Sequence, residues 1–308
     1  MKNTTVERYL DAIGQWFVWL NESDVDTTEA KARDLEDWNK SLYLTHTQAS
    51  KTRNGKMTAV RQFYEWTERQ AICPSHMRSV KSAKVDKKLA RKYSDSQLKA
   101  IFGSCDRTRP IGKRDYAILL LFYATGARRK EIASLSMEDL TVQQRVARVR
   151  LDGKGGKERV VSFKGAAVHA LVEWLLEREQ CTVLEEHAVF VGLTGRNKGN
   201  QLGPDGLDDV IYRAVYNSRI KTEKGMALHT LRVTYATDMY DRGVDIETLR
   251  WLMGHNDIET TRGYIAISEK RQRTTMPADR LDELTGGRGN GKPLWFEQQQ
   301  RGLFPNIK

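Results

Sequence analysis

Nine consecutive residues, 116–124 (YAILLLFYA), carry no charge and almost no polar atoms. Such a run either crosses a membrane or sits at the centre of a core. A span needs roughly 20 apolar residues, and Arg114, Asp115, Arg128 and Arg129 bracket this run closely. It is therefore read as a buried central helix, which requires other elements packed on every side of it. A chain of 308 residues has the length for that and for a second domain.

The flanking segments divide into two kinds. Upstream, Val6, Tyr9, Leu10, Ile13, Phe17 and Leu20 recur at spacings of three and four, which predicts a helix. Leu35, Trp38 and Leu42 predict a second; Met57, Val60, Phe63 and Tyr64 predict a third, ended by Ile72, Cys73 and Pro74. No alternating pattern interrupts them, so residues 1–80 are expected to form a helical bundle with its aromatic residues in the core. Downstream, Ser94 to Gln97 has the form of a capping box ahead of Leu98, Ile101 and Phe102. Pro110 and Gly112 are expected to break the chain. Residues 146–151 (VARVRL) alternate, 153–156 turn, and 159–163 form a second strand, which makes a hairpin. Helices are expected over 166–176, 207–220, 231–240, 246–253 and 260–267. The fold class is mainly α: an N-terminal helical bundle plus a mixed α/β domain with a small antiparallel sheet.

Between the two lies a basic segment. Lys and Arg number 51 against 40 acids, a formal charge of +11, which favours an anionic partner, nucleic acid before an acidic membrane surface. Arg78, Lys81, Lys84, Lys87, Lys88, Arg91 and Lys92 face one acid, Asp86. The bland reading is a solvated linker; the sharper one, preferred here, is a strap whose cations contact a phosphate backbone. Cys73, Cys105 and Cys181 form no CxxC pair, so neither a disulfide framework nor a structural zinc site is expected. The N-terminus lacks the apolar core of a signal peptide, and a cytoplasmic protein with no membrane partner is expected. Glycines at 286, 287, 289 and 291 suggest a flexible link, followed by apolar Leu294, Trp295 and Phe296.

Single polar residues here invite bland readings. Arg128 after the apolar run could serve a structural ion pair, His229 and His255 could be satisfied histidines, and Tyr264 could be a packed aromatic. GKGGK at 153–157 lacks the GxxxxGK[ST] spacing and sits between two strands, which speaks against a nucleotide-phosphate loop. Two histidines and a tyrosine lack the acid or cysteine that would complete a metal ligand set.

Four boxes in order change this. They are ATGARRKEIASLSMEDL from 124, GKGGKERVVSF from 153, LHTLRVTYAT from 228 and LMGHNDIETTRGY from 252. Together they resemble the tyrosine recombinase (phage integrase) family over residues 94–267. The resemblance places Arg128 and Arg232 as the catalytic arginines, Lys154 as the catalytic lysine, His229 and His255 as the two histidines, Tyr264 as the nucleophile and Glu131 as a supporting acid. It implies a core-DNA-binding (SAM-like) domain over 1–80, a basic linker over 81–93, a catalytic domain over 94–270 and a tail over 271–308. Three features depart from the usual pattern: Val233 stands where many members carry histidine, Ala127, Arg129 and Lys130 replace the usual apolar and small residues near Arg128 and so add charge there, and the tail is long.

The implied activity is site-specific recombination of double-stranded DNA with inverted-repeat target sites. Tyr264 would attack a phosphate to leave a 3′-phosphotyrosyl link and a free 5′ hydroxyl. The arginines would clamp the non-bridging oxygens, where charge grows toward the transition state. Lys154 would protonate the leaving oxygen, His229 would exchange a proton near the tyrosine, and His255 would donate to the phosphate. No cofactor, ATP or metal is implied, since arginine and lysine take the electrostatic role of Mg²⁺. The resemblance also implies a homotetramer on two duplexes, a dimer per site, and leaves room for a monomer in solution. Integration, excision and resolution share this chemistry and stay open. A type IB topoisomerase-like relaxing enzyme, a catalytically silent DNA-binding protein and a structural nucleoid-like protein are the alternatives.

Overall fold

The computed structural model describes residues 4–77, 79–83, 91–143, 145–153, 156–221, 228–255, 258–265 and 284; of residues 4, 259 and 263–265 it describes the backbone only. The chain divides into two compact units, Met1–Lys88 and Leu89–Lys308.

The first unit holds α1 (Thr4–Glu22), α2 (Ala32–Leu44) and α3 (Ser50–Arg69). Trp16, Leu20, Leu35, Trp38, Leu42, Met57, Val60 and Tyr64 form its core. Two of its aromatic residues keep a polar handle satisfied: Trp16 Nε1 donates to Tyr64 Oη (3.2 Å), and Tyr64 Oη donates to the Thr27 carbonyl (2.8 Å). The inward face of α1 differs from the sequence expectation. Ala12, Trp16 and Leu20 are buried, whereas Val6 and Leu10 are about half exposed or more. Periodicity finds the helix but mistakes the phase at its N-terminal end, where these apolar residues face outward.

The start of the basic segment is not free chain. Val80 is buried in the same core, the Asn54 side-chain amide and the Ala83 backbone exchange two 2.8 Å hydrogen bonds, and Arg61 donates to the Val80 carbonyl (2.9 Å). Lys81 is exposed. Arg78, Lys84, Lys87 and Lys88 lie outside the described residues.

The second unit begins with α4 (Asp95–Gly103), whose capping box is formed: Ser94 Oγ accepts from the Gln97 amide, and Gln97 Oε1 accepts from that of Ser94. Then comes α5 (Pro110–Thr125), the apolar run, which is buried without a break from Arg114 to Thr125. Pro110 starts this helix instead of breaking the chain, because a first-turn residue needs no N–H donor. Gly112 is required there: a Cβ would fall 1.9 Å from the Asp106 carbonyl oxygen.

After α5 come the short α6 (Arg129–Ala133) and an antiparallel sheet of β1 (Leu140–Gln143), β2 (Val146–Asp152) and β3 (Glu158–Lys164), in that order. β1 is the strand the sequence did not announce; four residues are too few to show alternation. β2 and β3 bury every second residue: Ala147, Val149 and Leu151 on one, Arg159, Val161 and Phe163 on the other. Then follow α7 (Ala166–Arg178), α8 (Pro204–Ser218), α9 (Leu228–Asp241), α10 (Ile246–Met253) and α11 (Ile258–Ile265). Helices α7, α8 and α9 all pack on α5, as a helix apolar on all sides demands. Leu284 is buried in this core as well. No helix among the described residues is long and apolar enough to cross a membrane.

Replacing Gly112 with alanine should force the backbone around Asp106 to shift. We expect Gly112→Ala to cost about 2 kcal/mol of stability, read as a lower denaturant midpoint with an unchanged slope.

Candidate active site

The site forms where α10 ends. Asp245 caps the start of α10 by accepting from the Thr248 amide (2.9 Å). At the other end Gly254 adopts a left-handed conformation (φ 60°), and the His255 amide reaches back to the Arg250 carbonyl (3.0 Å). This closure leaves the last carbonyls of α10 without helical donors. Three arginines from three other elements supply them. Arg159 Nε donates to the carbonyl of Leu252 (2.7 Å), Arg232 Nη2 to that of Met253 (2.5 Å) and Arg128 Nη2 to that of Gly254 (2.5 Å). The negative end of the helix dipole favours this gathering of cations.

Each arginine is also held from behind. Arg128 stands at the N-cap of α6, where its own amide donates to Glu131 Oε2 (2.6 Å) and its Nη1 to Glu131 Oε1 (2.9 Å). Arg159 grips the same carboxylate with both terminal nitrogens, at 2.9 and 2.8 Å. Arg232 rises from α9, is buried, and donates to the Gly126 carbonyl just past the end of α5 and to His255 Nε2 (2.8 Å). Burial works to raise the Glu131 carboxyl, but hydrogen bonds and charge from Arg159, with the hydrogen bonds from Arg128, outweigh it and hold the group below its ordinary value.

His255 is buried, and its state follows from its partners. A guanidinium can only donate, so Nε2 accepts from Arg232 and the ring proton sits on Nδ1, which donates to Thr261 Oγ1 (2.8 Å). Burial first, then the charges of Arg232, Arg128 and Arg159 and the neighbouring His229, push the imidazole down to about 3. The sequence reading gave His255 a donor's part toward phosphate. In this arrangement the ring bonds Arg232 through Nε2 and Thr261 of α11 through Nδ1. His229 is exposed at the start of α9, one turn before Arg232. Tyr264 lies in the last turn of α11, three residues past Thr261; its side chain lies outside the described part. Lys154 is also outside it, but the hairpin base is close by: a methyl on Gly153 would come within 3.9 Å of Arg128 Nη1.

Arg159 is the residue that sequence reasoning missed. Read from the sequence, it is only the first residue of a strand. The signal was present in the alternation: Val161 and Phe163 fix the inward phase of β3, so Arg159 points inward too, opposite Leu151. An inward arginine needs a buried acid. The charges flanking Arg128 are accounted for differently: Arg129 pairs with Asp208 of α8, and Lys130 is exposed. Of the remaining basic candidates, Arg91 is exposed. Lys92 is engaged with Asp241 (3.5 Å) and Asp238 (3.9 Å) of α9, while the Tyr93 amide donates to Thr234 of the same helix (2.9 Å). Among the described residues no group of His, Cys, Asp or Glu could hold a metal ion.

Residues 92–271 match the model of the phage integrase family. The chain belongs to that family. Among its relatives is the tyrosine recombinase XerC 2 of Ralstonia nicotianae, 31% identical over 286 residues that cover 89% of this chain and 80% of the relative. The fold is shared with XerH site-specific recombinase in a post-cleavage complex on a palindromic difH substrate (TM-score 0.65, 21% identity, 84% of this chain and 72% of that one). It is shared also with a lambda integrase dimer bound to a COC′ core site (TM-score 0.62, 14% identity, 90% and 93%). This integrase-family enzyme carries out site-specific recombination of DNA by the tyrosine-type mechanism.

Two outcomes are expected of this recombinase. In Gly254→Ala, the left-handed backbone is strained by roughly 1–2 kcal/mol, and the new Cβ would sit 2.9 Å from Arg159 Nη1 and 3.2 Å from Arg128 Nη1. Strand cleavage should fall at least about tenfold while DNA affinity, measured by gel shift, holds. The second concerns acid. The unfolded chain binds a proton at residue 255 near pH 6.5 and the folded chain only near 3, so the unfolded state binds more protons in between. Stability should be untouched by this group above pH 7 and fall as pH drops from 6.5 toward 3. His255→Gln should lose less stability over that window in denaturant titrations at stepped pH.

Proposed function

We propose that Tyr264 is the nucleophile of this recombinase and that Arg128 and Arg232 clamp the scissile phosphate. The observation that carries this reading is the convergence of Arg128, Arg232 and His255 on the end of α10, with α11, the helix of Tyr264, bonded to His255 through Thr261. Two planar cations on fixed carbonyls present donors to a phosphate without reorganising as charge develops.

In the reaction so proposed, the Tyr264 oxygen bonds to phosphorus as the bond to the 5′ oxygen breaks. His229, exposed beside the clamp, takes the phenolic proton. Lys154, on the hairpin next to Gly153, gives one to the departing 5′ oxygen. The 5′ hydroxyl of a partner strand then reverses the step on the 3′-phosphotyrosyl link, so one phosphodiester replaces another and no ATP is consumed. Neutral His255 keeps Arg232 aimed. The exposed cations Lys81 and Arg91, with Arg78, Lys84, Lys87 and Lys88, would contact the DNA backbone and make binding fall steeply with salt.

The DNA partner is read as a duplex with an inverted-repeat site, bound by one dimer, two such dimers forming a tetramer that exchanges strands. The palindromic substrate of XerH and the lambda integrase dimer on its core site support that arrangement by analogy of fold.

The test is covalent trapping. Wild type and Tyr264→Phe are incubated without added metal on nicked, labelled duplexes tiled across the DNA that flanks the gene, then denatured in detergent. A protein–DNA adduct on one tile, absent with Tyr264→Phe, is the expected result. An adduct that survives in Tyr264→Phe would transfer the nucleophile to another residue, and adducts on every tile would favour a topoisomerase-like enzyme.

A further inference from the structure

Glu131 is a buried carboxylate shared by two arginines, and the two do not play the same part. The Arg128 side chain is 33% exposed and has an open side; that of Arg159 is 4% exposed and has none. Every nitrogen of the Arg159 guanidinium is committed: Nη1 and Nη2 to the two Glu131 oxygens, Nε to the Leu252 carbonyl. Arg159 is thus spent on protein acceptors, and through them it bonds two of the pieces from which the phosphate clamp is made.

The hydrogen bonds at Glu131 show what it does there. Each carboxylate oxygen accepts two donors. Oε1 takes Arg128 Nη1 and Arg159 Nη1; Oε2 takes the Arg128 amide and Arg159 Nη2. Carboxylate and guanidinium prefer a two-pronged fork. Arg159 occupies that fork, so Arg128 makes a single side-chain contact on Oε1. Its Nη2 is left for the Gly254 carbonyl, and its open edge for an incoming anion. Were the fork vacant, Arg128, three residues away on the same short helix turn, would close onto Glu131 with both prongs. The charge balance points the same way: one acid cancels one of the two cations, and Arg159 leaves the pocket with a net positive charge.

We propose that Arg159 is a positioning residue that keeps Arg128 on the scissile phosphate by saturating Glu131 and pinning the end of α10 to β3, the second strand of the hairpin. This rests on the reading of Arg128 as a phosphate clamp.

The experiment uses the full chain and the duplex tile that gives the covalent adduct, made with either an ordinary scissile phosphate or a methylphosphonate, in which one charged oxygen is a neutral methyl. Arg159→Lys keeps the charge and loses the fork. It should bind the tile within about twofold of wild type and cleave the phosphodiester some 10- to 100-fold more slowly, the scale of a misplaced catalytic group. On the methylphosphonate, which has less charge to stabilise, the gap should close to about threefold. Arg128→Ala should show the same relief. In a Glu131→Gln background, adding Arg159→Lys should cost little more, since the carboxylate through which it acts is gone.

Equal slowing of Arg159→Lys on both substrates would reduce Arg159 to a fold-holding ion pair, and no slowing would remove it from the reaction; either overturns the proposal. A full extra loss in the Glu131→Gln background would overturn its route through Glu131. If Arg128→Ala gains nothing on the methylphosphonate, the failure lies in the clamp reading itself. Thermal melts of each variant separate unfolding from these outcomes.

Discussion

Three consecutive carbonyls at the end of one helix, each taken by a different arginine, are the constraint on which the catalytic unit turns. Leu252 and Met253 end α10 and Gly254 caps it, while Arg159, Arg232 and Arg128 come from β3, α9 and the start of α6. Cations this close repel one another, and none of these would hold its place without compensation. The helix terminus supplies part of it through its dipole and its unpaired oxygens. Glu131 supplies the rest for two of them. What results is a cluster of guanidinium donors held in fixed directions by the protein itself, and donors fixed in advance are the condition under which electrostatic stabilisation raises a rate.

The rest of the unit can be understood as scaffolding for that point. Helix α5, apolar all round, fixes the positions of the elements that wrap it, and its left-handed end at Gly126 places a carbonyl under Arg232. A side chain at Gly126 would collide with Tyr235, at 2.3 Å from its ring, so the close approach of α9 to α5 depends on that glycine. Tyr235 is itself buried, which pushes its phenol up to about 12, and it stays neutral beside the arginines. Lys92 and Tyr93 tie the segment ahead of α4 to α9, so the helix bearing His229 and Arg232 is anchored at the chain's entry into this unit.

Much of this was legible beforehand. The run at 116–124 announces a central helix because nothing else can bury it. The helix expected over 246–253 is α10 to the residue, and the structure shows why its ends are sharp: Asp245 caps its start and left-handed Gly254 its end. Arg128, Arg232 and His255 were named from their boxes, and the structure brings them together. Three things were not legible. β1 is too short for a pattern. The outward phase of Val6 and Leu10 depends on which face of α1 packs on α3, and apolar spacing alone does not choose it. The protonation of His255 depends on a donor 23 residues away in sequence and on burial, neither of which has a local trace.

The amino-acid sequence by itself determined where the helices and the hairpin form and which residue types carry the chemistry, because hydrophobic period, caps and glycines act within a few residues of where they stand. Only the tertiary structure decided what each charged group does. Arg128 and Arg159 are the same residue type and hold the same carboxylate, but one keeps an edge open to solvent and the other is sealed in by the sheet. That difference arises from packing among β3, α6 and α10, and packing, unlike propensity, has no expression in any one of those segments alone.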